Sequence, residues 1–213
     1  MNKINYQKEL DKITENLSKT GQTPVLLLHA CCAPCSSYCL EYLSQYFKIY
    51  IYFYNPNISD KEEYLYRLNE EKRLISEMNF KNSVEIIESE YDSKDFFDYT
   101  KGLEKEPEGG ARCKKCFELR LQKTAQKAKE LSVDYFTTTL TISPLKNAQR
   151  LNEIGTQMAD EYGVNWLYSD FKKKEGYKRS IELSKIYDLY RQDYCGCVFS
   201  RVESEKRKNF LKN

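Results

Sequence analysis

Residues 24–54, PVLLLHACCAPCSSYCLEYLSQYFKIYIYFY, decide the fold. Val25-Leu26-Leu27-Leu28 is an unbroken apolar run, the pattern of a short strand buried on both faces. Residues 36–46 read as a helix. Residues 48–54, KIYIYFY, are β-branched and aromatic and read as a second strand. Two buried strands joined through a helix point to parallel pairing, because parallel neighbours need a long crossover.

Working outward, the same alternation continues. Upstream, Tyr6, Leu10, Ile13 and Leu17 recur at helical intervals, so residues 5–18 read as an amphipathic helix ended by Gly21 and Pro24. Downstream, Asn55-Pro56-Asn57 breaks the second strand. Ser59 with Glu62 has the form of a capping box, opening a helix over residues 60–78. Residues 84–88 form a weaker third strand, and residues 102–110 an exposed loop rich in Gly, Pro and charge. A helix begins near Arg112, with Phe117, Leu121, Ala125 and Ala128 along one face. Residues 135–139 are a fourth strand, residues 147–162 a helix stopped by Gly163, and residues 164–168 a fifth strand. A helix over 178–187 and a highly charged tail from about residue 203, helical or flexible, complete the chain.

Strands alternating with helices predict an α/β fold: a Rossmann-like, mostly parallel sheet with helices on both faces. The length of 213 residues suits a single domain spanning 1–213. In such a sheet, ligands bind outside the carboxyl ends of the strands. The unusual residues follow the strands: His29-Ala30-Cys31-Cys32 after the first, Asn55-Pro56-Asn57 after the second, Thr141 to Lys146 after the fourth, Ser169 to Lys172 after the fifth.

The net charge of +2 excludes overall basicity as a sign of a nucleic-acid partner, so any polyanion must meet a local patch. The start, MNKINYQKELDKITENLSK, lacks the apolar stretch of a signal peptide, and the longest apolar run, residues 24–33, is too short to cross a membrane. The expectation is a cytoplasmic protein with no membrane partner. Eight cysteines in a reducing compartment point away from a disulfide framework and toward metal or redox chemistry.

The cysteines fall in three groups. Cys31-Cys32-Ala33-Pro34-Cys35 ends the first strand, with Cys39 one helical turn beyond. Cys113-Lys114-Lys115-Cys116 stands at a helix start, where spacing puts both sulfurs on one side and the helix N-terminus lowers thiol pKa. Cys195-Gly196-Cys197 lies near the end. A lone CxxC is weak evidence, but CxxC together with the vicinal pair Cys31-Cys32 supplies four thiolates for either an iron–sulfur cluster or a structural zinc. Polar, turn-forming neighbours argue against buried free thiols, except at Cys39, which reads as core; Cys35 lies between the two cases. Cys195 and Cys197 can close only a small, easily reduced disulfide ring, or hold a second metal. His29, the single histidine, reads as a structural residue rather than a proton donor. Lys146, Arg150, Lys172, Lys173, Lys174, Lys178, Arg179 and Arg191 follow the later strands, where phosphate contact competes with a solvated face. Tyr177, Tyr187, Tyr190 and Tyr194 are candidates for stacking on bases.

Six segments together are similar to one family: LHACCAPC (28–35), FYNPNI (53–58), EGGARCKKC (108–116), TTLTISP (138–144), DFKKKEGY (170–177) and YRQDYCGC (190–197). They resemble the cobalamin-independent epoxyqueuosine reductases, the QueH family, in order and over nearly the whole chain. The resemblance implies reduction of epoxyqueuosine to queuosine in the anticodon loop of tRNA, with electrons from an external donor. It implies a [4Fe–4S] cluster on Cys31, Cys32, Cys113 and Cys116 and a redox-active role for Cys195 and Cys197. It also implies a second, mononuclear iron. Some members carry Asp where this chain has Cys35; both are anionic ligands, so Cys35 is the candidate for that second site. Lys172, Lys173 and Arg179 are the candidates for contact with the tRNA. The family's fold resembles the nucleotide-binding layouts of tRNA-thiolating enzymes, in line with the strand–helix alternation. Two other readings stay open: a tRNA sulfur-transfer enzyme, against which stands the lack of an SGGxDS-like phosphate loop after the first strand, and a zinc-stabilised RNA-binding module.

Overall fold

The computed structural model describes residues 4–210. Five strands, β1 (Val25–His29), β2 (Lys48–Phe53), β3 (Val84–Glu88), β4 (Tyr135–Thr138) and β5 (Asn165–Trp166), form one sheet in the order β3-β2-β1-β4-β5. Every neighbouring pair is parallel. The α/β architecture expected from the strand–helix alternation is therefore the observed one. Strand order reverses at β1, so its carboxyl end opens onto the crevice where such sheets bind ligands.

Alternation along the strands builds a core on each face. Leu26 and Leu28 point to one side, with Leu10 and Leu17 of α1 (Tyr6–Thr20), Leu40 and Leu43 of α2 (Ala33–Leu43), and Tyr64 and Leu68 of α3 (Lys61–Glu77). Cys39 lies in this cluster, fully buried, as its helical position suggests. Leu27 and Phe136 point to the other side, with Leu121 and Ala125 of α5 (Ala111–Glu130) and Leu151, Ile154 and Met158 of α6 (Ala148–Tyr162).

Several boundaries differ from the sequence expectation. Helix α2 starts at Ala33 rather than Ser36, because Pro34 in the first turn has no amide to satisfy and a backbone angle suited to a helix start. Asp60, not Ser59, caps α3, its carboxylate accepting the amides of Glu62 and Glu63. A short helix, α4 (Lys94–Tyr99), and a 3-10 turn at Thr139–Ile142 had no clear periodic signal. Helix α7 covers Gly176–Ile186, and α8, Val198–Phe210, takes in most of the charged tail as helix. Among the described residues no helix is long and apolar enough to cross a membrane.

The β5 edge is fixed by Asn152. Its amide donates to the carbonyls of Ala148 and Ser169, and its oxygen accepts from Trp166 Nε1 and the Ser169 amide. Gly155, one turn further along α6, lies against the Trp166 ring: a Cβ there would stand 2.3 Å from it. Gly155→Ala is expected to destabilise the protein by about 1–3 kcal/mol through overpacking. Urea unfolding followed by the fluorescence of Trp166, the single tryptophan, measures this; an unchanged midpoint would contradict the packing described.

Candidate metal centre

The turn after β1 brings three thiols together. Ala30 is clamped on both sides, its amide donating to Tyr52 O and its carbonyl accepting from Asn55 Nδ2. The chain then turns at Cys32, whose carbonyl takes the amides of Cys35 and Ser36 to start α2. The sulfurs of Cys31, Cys32 and Cys35 all lie within 4.8 Å of one another. The Cys31–Cys32 separation is 3.7 Å, close to the roughly 3.8 Å expected between sulfurs on one tetrahedral metal with bonds of about 2.3 Å.

Electrostatics concentrate one negative charge on Cys31. Hydrogen bonds from Cys32 and Cys35 hold its thiol well below the ordinary range, with help from Lys146 and Arg120. Thr139 Oγ1 also donates to its sulfur at 3.6 Å. By the same coupling Cys32 is pushed up to about 12 and Cys35 well above its usual value. Cys31 is the thiol of the three that ionises most readily.

Arg120, fully buried, ties this turn to α5. Its Nε donates to His29 Nε2 at 3.2 Å and its Nη2 to Asn55 Oδ1 at 2.6 Å. Burial works against its charge, yet the sulfurs of Cys116, Cys195 and Cys31 raise its pKa. His29 Nε2 also lies 3.1 Å from the Tyr54 carbonyl, and Nδ1 lies 2.8 Å from Thr138 Oγ1. Burial and Arg120 push the His29 pKa down to about 3. The imidazole is sealed and neutral, the structural role expected of it.

The remaining thiols stand opposite. Cys113 accepts the Gly109 amide at 3.2 Å. Helix α5 was expected to lower the pKa of Cys113 and Cys116; instead burial raises both, Cys116 to about 12, because desolvation and the neighbouring thiols outweigh the helix terminus. Cys195-Gly196-Cys197 is strapped to the loop after β2. The Cys195 carbonyl accepts from Arg67 Nη1 and Asn57 Nδ2, the Gly196 carbonyl from the Ser59 amide, and Ser59 Oγ from the Val198 amide. Gly196 has φ +119°, and an added Cβ would lie 2.8 Å from Ile58, so only glycine fits.

Two adjoining cavities collect these groups. One, about 250 Å³, is bordered by Cys31, Cys32, Cys35 and Cys195. The other, about 230 Å³, is bordered by Cys113, Cys116, Cys195 and Cys197. They share Cys195, Glu108, Leu145 and Lys146. Of the eight cysteines only Cys39 is outside this system, and all eight are free thiols. Lys146, placed by the sequence among surface cations, turns inward: burial opposes its charge, but the sulfurs of Cys195, Cys31 and Cys35 raise its pKa. Arg191, Tyr177 and Tyr194 border the first cavity and Arg150 the second. Lys172 and Lys173 line an open groove that meets both cavities at Leu145 and Lys146. Arg179 lies away from all three, its guanidinium held by Glu41 at 2.7 and 2.9 Å and by Glu182. Lys174 and Lys178 pair with Asp11 and Glu175. Arg67, Arg120 and Glu108 were not singled out from sequence: on a pattern of spacing alone a buried helical arginine looks like a solvated one.

A Rossmann-like sheet with seven thiols at its switch point defines a protein built for metal or redox chemistry on cysteine. The family model for "Epoxyqueuosine reductase QueH" matches residues 26–203. The chain is 49% identical over 205 residues to the epoxyqueuosine reductase QueH of Staphylococcus epidermidis, covering 94% of this chain and 86% of that protein. It is 48% identical to that of Streptococcus pyogenes (93% and 78% covered) and 32% identical to that of Thermotoga maritima (85% and 93%). The chain belongs to the epoxyqueuosine reductase QueH family and is an oxidoreductase.

The contrast within the triad gives a direct test. In reduced, metal-free protein the pKa of Cys31 is the lowered one, whereas those of Cys32 and Cys35 are raised. Iodoacetamide should therefore label Cys31 first, read by peptide mass spectrometry. Equal labelling of the three would show that the charge is not localised.

Proposed function

We propose that this protein reduces epoxyqueuosine to queuosine at the wobble position of tRNA. The observation that carries the reading is the pair of thiol-bordered cavities meeting at Cys195. In this reading Cys31, Cys32, Cys113 and Cys116 hold a [4Fe–4S] cluster, and Cys35 serves a second iron. The donor set suits such a group: thiols border open space on both sides, and the cations Arg120 and Lys146 stand ready to offset thiolate charge. When bound, the cluster supplies single electrons and the second iron a Lewis-acidic centre.

The protein's own residues do the rest. Converting an epoxide to an alkene and water consumes two electrons and two protons. Cys195 and Cys197 going from two thiols to one disulfide release two electrons and two protons, so the balance closes, and an external donor restores the thiols. The small ring of a Cys-Gly-Cys disulfide favours its re-reduction. His29 is no proton source at neutral pH, being sealed and neutral. The wobble base of a single-stranded loop splays into the cavities, while Lys172 and Lys173 meet the flanking backbone along the groove.

Two measurements test the assignment. Serine at Cys31, Cys32, Cys113 or Cys116 should lower the iron and sulfide content of anaerobically reconstituted protein. Serine at Cys195 or Cys197 should leave that content intact and abolish single-turnover product. Wild-type protein that takes up zinc and no iron sinks the cluster assignment, and full activity in Cys195→Ser or Cys197→Ser removes the redox pair.

For the tRNA, replacing Lys172 and Lys173 by alanine should weaken binding and reduce the slope of log affinity against log salt by about 1 to 2. Arg179→Ala should do much less, because Arg179 borders neither the groove nor the two cavities. An unchanged slope in the double variant would return the lysines to a solvated face.

A further inference from the structure

Glu108 is the one carboxylate bordering both cysteine cavities. Its position is fixed from several sides. Its amide donates to the Glu203 carboxylate at 3.1 and 3.3 Å, and the next residue, Gly109, accepts from Arg150 Nη1 at 2.7 Å and donates to Cys113 Sγ. Among the described residues the carboxylate's ion-pair partner is Arg207 Nη1 at 3.3 Å, which is half exposed. Exposed pairs of this kind hold their partners weakly.

The surroundings make this carboxylate unexpected. The walls carry Arg67, Arg112, Lys146, Arg150 and Arg191, cations that suit thiolates and an anionic nucleic acid, and Asp193, the other carboxylate of the first cavity, is paired with Lys208. A carboxylate at the junction serves neither; it suits a cation. On the reading proposed above, the substrate brings one. Epoxyqueuosine consists of two ring systems, a 7-deazaguanine and an epoxide-bearing cyclopentane, joined through a secondary amine that is protonated at neutral pH. The ligand carries a cationic link between its rings, and the mouth shared by the two cavities carries a carboxylate.

We infer that Glu108 pairs with the secondary ammonium of the modified base and selects tRNA that carries it. The residue is a specificity determinant: it recognises the link between the rings and sets where the epoxide lies relative to Cys195. The inference rests on the epoxyqueuosine reading, and its test separates the two.

The experiment uses the reconstituted holoenzyme and one tRNA in three forms, with guanine, queuosine or epoxyqueuosine at the wobble position. Queuosine keeps the ammonium and lacks the epoxide, so it reports recognition without turnover. Wild type should bind both modified forms more tightly than the guanine form. Glu108→Gln should lose about tenfold or more in affinity for both modified forms, the share of a charge-assisted contact, and bind the guanine form as before. Glu108→Asp, which keeps the charge on a shorter stem, should retain part of the preference. Iron content and circular dichroism are read alongside. If Glu108→Gln fails to fold, Arg207→Ala decides: freeing the carboxylate should keep or sharpen the preference. Equal losses across the three tRNAs, a preserved preference in Glu108→Gln, a lost preference in Arg207→Ala, or a wild type without preference overturns the inference. A wild type that binds the modified forms and fails to reduce epoxyqueuosine overturns the activity instead.

Discussion

The Arg120 guanidinium is the interaction on which the site depends. It sits at full burial between the end of β1, the loop after β2 and helix α5, donating to His29 and to Asn55 and facing the Cys116 sulfur. Burying a charge costs several kcal/mol unless its partners are well placed. That cost turns the arginine into a positional constraint. Asn55 must present its oxygen, and the Asn55 amide is then left to hold the Ala30 carbonyl. The turn carrying Cys31 and Cys32 is thereby fixed relative to the helix carrying Cys113 and Cys116, although about 80 residues separate them in sequence.

Two further buried arginines extend the same device. Arg67 pairs with Glu63, lies over the Tyr194 ring and donates to the Cys195 carbonyl, so α3 holds the Cys-Gly-Cys segment. Arg112 gathers the carbonyls of Leu103, Glu104 and Glu106 and stacks on Phe199 of α8, so the start of α5 holds the loop before it and the final helix. Each arginine anchors a segment that carries or flanks thiols. The apolar core positions the sheet, and the arginines position the loops at its rim. A loop has few apolar contacts of its own, and a multi-donor planar cation can bind several carbonyls at once.

This division explains what was legible in the sequence. The strands and main helices announce themselves through apolar runs and helical spacing, as in Val25-Leu26-Leu27-Leu28 and in Leu151, Ile154 and Met158. The thiols announce themselves by residue type. The arginines do neither. Arg67 lies in a charged helix, KEEYLYRLNEEKRLISE, beside residues that are solvated, and only its neighbours in space reveal burial. Lys146 likewise follows a strand in a polar loop, and its inward turn depends on sulfurs contributed by three distant segments. The pKa of Cys113 and Cys116 was misjudged for a related reason: a helix start is visible in sequence, whereas desolvation is a property of the assembled site.

The same electrostatics separate folding from metal loading. Burial and neighbouring thiols raise the pKa values of Cys32, Cys113 and Cys116, so these thiols are protonated near neutrality, and on the cluster assignment proposed above metal binding would have to expel those protons. The thiolates so formed would meet Arg120, which is buried, and Lys146, which is half-buried at the rim. The two apolar clusters that hold the sheet, centred on Leu26, Leu28, Ile49 and Ile51 on one face and Leu27, Phe136 and Leu151 on the other, are complete without a metal. Small zinc domains fold only when the metal arrives, because the metal replaces a core they lack. Here two apolar clusters hold the sheet, so on the proposed cluster assignment loading would be a proton exchange at the rim, favoured as pH rises.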